Sequence, residues 1–129
     1  MRVRISSGIA DALRAASMAA LPREACGLLF GEVHAILDWQ QADNVAETPN
    51  THFEIDPAVL FAALRTERAG GARLLGYWHS HPSGVAAPSA TDAAMAAGDE
   101  RLWLIVGGAN ITAWRMAAAG FAPIALLEG

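Results

Sequence analysis

The sequence predicts an α/β domain in which a mixed β-sheet is flanked by helices. Short apolar runs of strand length alternate with segments of helical periodicity, and Gly, Pro and Ser/Asp cap signals separate them. Some strands follow one another as hairpins while others are separated by helices, which mixes antiparallel with parallel pairing. With 129 residues, 53% of them hydrophobic and 17% charged, the chain is expected to fold as a single domain over residues 1–129 around its own core.

Residues 2–5 alternate polar and apolar side chains as a short strand. Ser6 and Ser7 offer N-caps to a helix on which Ile9, Leu13 and Ala16 share a face, and Pro22 ends it. Residues 25–31 and 33–39 read as a partly buried hairpin, and residues 41–51 as a loop. A brief strand is expected at 53–55. Asp56 and Pro57 then supply a cap and a first turn for a helix that Gly70 and Gly71 stop. The next strand covers 73–79, a Pro- and Gly-marked loop follows over 82–88, and Ser89 caps a third helix expected to end at Gly98. Strands at 102–106, 111–116 and 121–127 complete the chain, the first two joined by a turn at Gly107, Gly108 and Asn110.

Composition excludes several classes of function. All nine basic residues are Arg, and against 13 acidic residues they leave a net charge of -4, which disfavours nucleic-acid binding. The lone Cys26 cannot form an intramolecular disulfide and has no second thiol with which to hold zinc, so a reducing cytoplasm is the expected location. Asp11 and Arg14 interrupt the alanine-rich start, which reads as a helix rather than a signal peptide. Arg115 breaks the richest apolar stretch, so no membrane span is expected.

The segment that carries chemistry runs from His79 to Asp92. Side chains alternate along a strand, so His79 and His81 project to one side and can offer imidazole nitrogens to one metal ion, while Ser80 projects to the other. The loop returns the chain so that Asp92 can complete three protein ligands and leave a position for water, the layout of a catalytic zinc. The same Ser89-x-x-Asp92 spacing is also a helix-capping arrangement, with Asp92 favoured in a first turn by the helix dipole. Cys26, two residues past Glu24, raises a thiol nucleophile as a rival, although no activating base lies near it in sequence. His34 and His52 read as surface residues, and Trp78, Trp103 and Trp114 as core or rim.

His79-x-His81, seven residues, Ser89, two residues and Asp92 resemble the signature of the JAMM (JAB/MPN) zinc metalloprotease family in its minimal prokaryotic form. Glu24-Ala25-Cys26-Gly27, Asn44, the stretch 53–56 and Gly76 are similar to the family as well. The resemblance implies a JAB/MPN domain with cytidine-deaminase-like layers and one Zn2+ carrying a water, held by His79, His81 and Asp92. It implies Glu24 as the general base and Ser89 as a stabiliser of the oxyanion; read alone, Glu24 beside Arg23 is an ordinary surface charge. The implied reaction is hydrolysis of an amide or isopeptide bond after the C-terminal glycines of a ubiquitin-like protein. The chain is short for the insertions and fused domains of eukaryotic relatives, which points to a ubiquitin-like sulfur carrier whose tail docks extended by strand addition. A non-catalytic scaffold and a zinc hydrolase acting on a small amide are the alternatives.

Overall fold

A computed structural model gives the arrangement of residues 1–96 and 99–129. β1 (Arg2–Ile5) leads into α1 (Ser7–Ala20), and β2 (Cys26–Glu32) and β3 (Ala35–Ala42) form a hairpin. α2 (Pro57–Arg68) precedes β4 (Leu74–Ser80), and α3 (Ala90–Met95) precedes β5 (Leu102–Gly107), β6 (Asn110–Ala117) and β7 (Gly120–Glu128). The expected end of the third helix at Gly98 lies outside the described residues. Among those described, no helix is long and apolar enough to cross a membrane.

The helices start where cap chemistry predicts. Ser6 Oγ accepts from the Ile9 N–H at 3.1 Å, and an Asp56 carboxylate oxygen accepts from the Ala58 N–H at 3.0 Å with Pro57 in the first turn. α1 buries Ala10, Leu13 and Ser17 against the sheet and ends two residues before Pro22.

The mixed sheet runs β1-β3-β2-β4-β5-β6-β7, and parallel pairing of β1 with β7 closes it into a barrel. β1 with β3 and β4 with β5 are also parallel, while the hairpin neighbours are antiparallel. β5 is buried at every position, which explains why 102–106 is apolar without alternation. Val3, Ile5, Leu13, Leu29, Trp78 and Leu104 form the main core.

β4 lies between β2 and β5, and glycines allow both neighbours to approach closely. A Cβ at Gly76 would collide with the Leu102 carbonyl, and one at Gly27 with the Gln40 carbonyl and the Trp78 indole. Two local expectations change. Residues 53–55 form no strand, only an isolated bridge between Asn44 and Ile55, because the segment passes directly into the Asp56 cap. Gln41 and Ala42, expected to open a loop, instead continue β3: the ladder with β2 runs on to Cys26↔Ala42, and exposed polar side chains are compatible with a half-exposed strand.

Candidate metal centre

β4 supplies the first two donors. His79 is fully buried, and His81, one residue beyond the strand, donates its N–H to the Val106 carbonyl at 2.8 Å. That bond prolongs the pairing with β5, so strand alternation holds through His81. The two imidazoles meet Nε2 to Nε2 at 3.0 Å, while Ser80 faces away and its Oγ accepts from the Ala25 N–H at 2.8 Å.

The chain then turns through Gly84, whose φ of +84° is in the region that favours glycine. The turn brings the Val85 carbonyl to 2.8 Å from His81 Nδ1. A carbonyl only accepts, so Nδ1 carries the proton and the Nε2 of a neutral His81 ring presents a lone pair.

Asp92 is a cap residue and a site residue together. Ser89 Oγ accepts from the Asp92 N–H at 3.0 Å and Asp92 Oδ2 accepts from the Ser89 N–H at 2.9 Å, which closes a capping box. The same carboxylate, 2% exposed, places Oδ1 3.1 Å from His79 Nε2 and Oδ2 3.0 Å from His81 Nε2. Burial alone would raise the Asp92 pKa, but the two imidazoles and the Ser89 N–H outweigh it and hold the carboxyl well below the usual range. Burial pushes His79 below the ordinary imidazole value, against the pull of Asp92. Burial lowers His81 too, but its hydrogen bonds with Asp92 and Val85 prevail and its pKa is raised.

Glu24 is no surface charge: it is 5% exposed, and its carboxylate, His79 and His81 bring donor atoms within 4.8 Å of one another. Burial pushes its pKa up to about 7, with the nearby His81 charge opposing and Asp92 adding. The convergence of lone pairs from His79, His81 and a carboxylate is stable with a proton or a cation between them. Two imidazole nitrogens and a carboxylate oxygen are a donor set that can hold a metal ion, zinc among them.

Aromatic rings wall the centre. Phe53 stacks on His79 with centroids 4.2 Å apart and planes at 17°, and Trp103 meets the same imidazole edge-on at 5.6 Å. An apolar groove of about 260 Å³, lined by Met18, Leu21, Pro82 and Val106, reaches Ser80 and His81. A more polar cleft of about 200 Å³ is lined by Ala16, Ala20, Gln41 and Asn44 and reaches Glu24.

Residues 6–117 match the model of the prokaryotic homologs of the JAB domain. The chain belongs to the prokaryotic JAB family. It is 34% identical to the desampylase of Haloferax volcanii over 65% of this chain and 62% of that protein. It is also 34% identical to a probable TtuB-protein conjugate cleaving protease of Thermus thermophilus, over 68% of this chain and 59% of that protein. The chain thus spans about three fifths of the length of these relatives. A JAB1/MPN domain protein from Archaeoglobus fulgidus shares the fold with a TM-score of 0.64 and 18% identity, covering 98% of each chain.

This JAB domain leaves other expected residues in lesser places. Cys26 is buried, and burial with the Glu24 and Asp43 charges pushes its thiol up to about 12, so no thiolate nucleophile forms at neutral pH. His34 is exposed, as expected, whereas His52 is half-buried and takes the Thr48 and Thr51 hydroxyls at Nδ1. Trp78 and Trp103 are core residues. Phe53 and Ser80 also stand at the centre, with no role there expected from sequence. The likeness of the stretch 53–56 to the family is the signal that marks Phe53.

Proposed function

We propose that this JAB-family protein is a zinc-dependent peptidase or isopeptidase that cleaves the amide bond after the C-terminal Gly-Gly of a ubiquitin-like sulfur-carrier protein, in the cytoplasm. The observation that carries the reading is the convergence of His79, His81 and Asp92 with Glu24 buried beside them. The named activities of the Haloferax and Thermus relatives supply the substrate class.

His79, His81 and Asp92 would hold one zinc. When bound, zinc polarises the scissile carbonyl and brings the pKa of a bound water to about 7. Glu24 takes the proton of the attacking water and returns it to the leaving amine, a contribution of typically about 10²- to 10⁴-fold. Burial pushes its pKa up to about 7 without the metal, and the charge of a bound cation would draw it back toward the ionised form that accepts a proton. Ser89 Oγ accepts from the Asp92 N–H, which leaves the hydroxyl proton for the developing oxyanion. Between Leu37 and Ala42, β3 has β2 as its sole strand partner among the described residues, and this stretch leads toward Asn44 and Glu24. An extended tail adding there would approach the base through the alanine-lined cleft, where Ala16 and Ala20 suit a glycine segment.

The test is intact-mass spectrometry of a ubiquitin-like sulfur carrier extended past its terminal Gly-Gly, incubated with zinc-loaded protein and with a Glu24→Gln control. The expected result is a mass loss matching cleavage after the glycines, absent in the control. No cleavage by a protein carrying stoichiometric zinc would overturn the reading; turnover of a free small amide alone would replace it with a small-amide hydrolase, and no turnover at all with a scaffold.

A further inference from the structure

A general base acts from a fixed position, and the protein's own hydrogen bonds hold Glu24 by its main chain and not by Oε1. The side chain is 5% exposed, and Oε1 is buried with no hydrogen-bond partner among the described residues. Its placement therefore depends on the main chain of residues 24 and 25, and that main chain is bound at every polar group. The Glu24 N–H donates to the Pro49 carbonyl at 2.7 Å, and the Glu24 carbonyl accepts from Asn44 Nδ2 at 2.9 Å. The Ala25 N–H donates to Ser80 Oγ at 2.8 Å, and the Ala25 carbonyl accepts from the Ser80 N–H at 3.0 Å.

The two side chains in this set link the base to the rest of the centre. Ser80, 3% exposed, stands between His79 and His81 in sequence and ties residue 25 to the end of the strand that carries His79 and leads into His81. Asn44, 8% exposed, uses both ends of its amide: Nδ2 also donates to the His52 carbonyl at 2.9 Å, and Oδ1 accepts from the Ala46 and Glu54 N–H groups at 3.1 Å each. It thereby joins Glu24 to the segment holding Phe53, the ring stacked on His79. A saturated buried amide of this kind specifies one arrangement of the segments it joins.

We propose that Asn44 and Ser80 are positioning residues for Glu24, setting its carboxylate relative to His79 and His81 through the main chain. The proposal rests on Glu24 being the base. Neither residue touches the reacting atoms. A misplacement of about 1 Å at a reacting group can cost on the order of 10²-fold, so each acts on turnover and not on zinc binding.

The experiment is a double-mutant cycle on zinc-loaded protein: wild type, Ser80→Ala, Asn44→Ala, Glu24→Gln and the two combinations, each with zinc content and a melting curve. The substrate is the Gly-Gly-extended sulfur carrier. Expected are stoichiometric zinc, KM within about 2-fold of wild type and kcat reduced roughly 10- to 100-fold in each positioning variant. On the Glu24→Gln background the same substitutions lower residual turnover less than about 2-fold, because the group they position is gone. An equal fold-loss on both backgrounds, or zinc loss accompanying the drop, overturns the proposal. An unchanged kcat in Glu24→Gln alone overturns the base assignment instead. Should Asn44→Ala fail to fold, Ser80→Ala carries the test. A crystal structure of zinc-loaded Ser80→Ala supplies a readout independent of turnover. Superposed on His79, His81 and Asp92, it should show the Glu24 carboxylate displaced by about 1 Å or split between conformers; an unmoved carboxylate refutes the assignment.

Discussion

Glu24 and Asp92 are two buried carboxylates facing the same pair of imidazoles, and their surroundings drive them apart. Asp92 gains the Ser89 N–H and both histidines and stays ionised; Glu24 gains burial and is pushed up to about 7. The two neighbouring carboxyls therefore differ in protonation near neutral pH in the metal-free protein. If Asp92 and the histidines bind the metal and Glu24 the water, His81→Ala loses zinc along with activity. Glu24→Gln keeps zinc stoichiometric by elemental analysis while turnover falls by about 10²- to 10⁴-fold. In the metal-free protein the raised Glu24 pKa also has a stability consequence. Between its ordinary value near 4.5 and about 7 the folded state binds the proton that the unfolded state has released, so stability declines as pH rises through that window. Thermal melts in chelator should show the difference between wild type and Glu24→Gln falling from pH 4.5 to 7. A flat difference would mean the carboxylate is solvated. The convergence of His79, His81 and Asp92 was legible in sequence, since strand alternation puts both imidazoles on one side and the loop returns the carboxylate. The burial of Glu24 was not: beside Arg23 it reads as a surface charge until Pro49, Asn44 and Ser80, distant in sequence, close around it.

At the start of α3 the capping reading of Ser89-x-x-Asp92 holds, and the cap sets the Asp92 carboxylate beside both imidazoles. Ser89-x-x-Asp92 is a capping box, and the box is what aims the carboxylate: the helix start fixes the backbone of Asp92 while the Ser89 N–H holds one carboxylate oxygen. Ser89→Ala removes the Oγ acceptor but leaves that N–H. Calorimetry should therefore show a loss of about 1 kcal/mol, the usual cost of an N-cap, with zinc retained and turnover reduced through the lost hydroxyl. Loss of zinc in this variant would show that the cap, not the main-chain N–H, orients Asp92. The helix starts and the strands over 102–127 were legible because caps, glycine turns and apolar runs are local signals. The extension of β3 through Gln40 and Gln41 was not, because polar side chains on an exposed strand look like loop until the partner strand is known.

At the scale of the molecule, the barrel gathers donors from β4 and from the segments after it and before β2 into one buried place. A metal bound there stabilises the fold by mass action. Zinc at about 100 times its Kd should add about 2.7 kcal/mol, a rise in melting temperature on the order of 10 °C for a chain of this size. Chelation should reverse the rise, and His81→Ala should show none; an equal rise in His81→Ala would place the metal elsewhere. The mixed α/β class, the order of elements and the metal signature follow from local causes: residue propensity, side-chain periodicity, caps and short spacings act within a few residues of chain. Closure of the sheet by β1 against β7, the stacking of Phe53 on His79 and the clamp of Asn44 and Ser80 on Glu24 depend on contacts between distant segments. No periodicity encodes such contacts. They arise when burial of a shared core brings those segments together, and with them the raised pKa of Glu24.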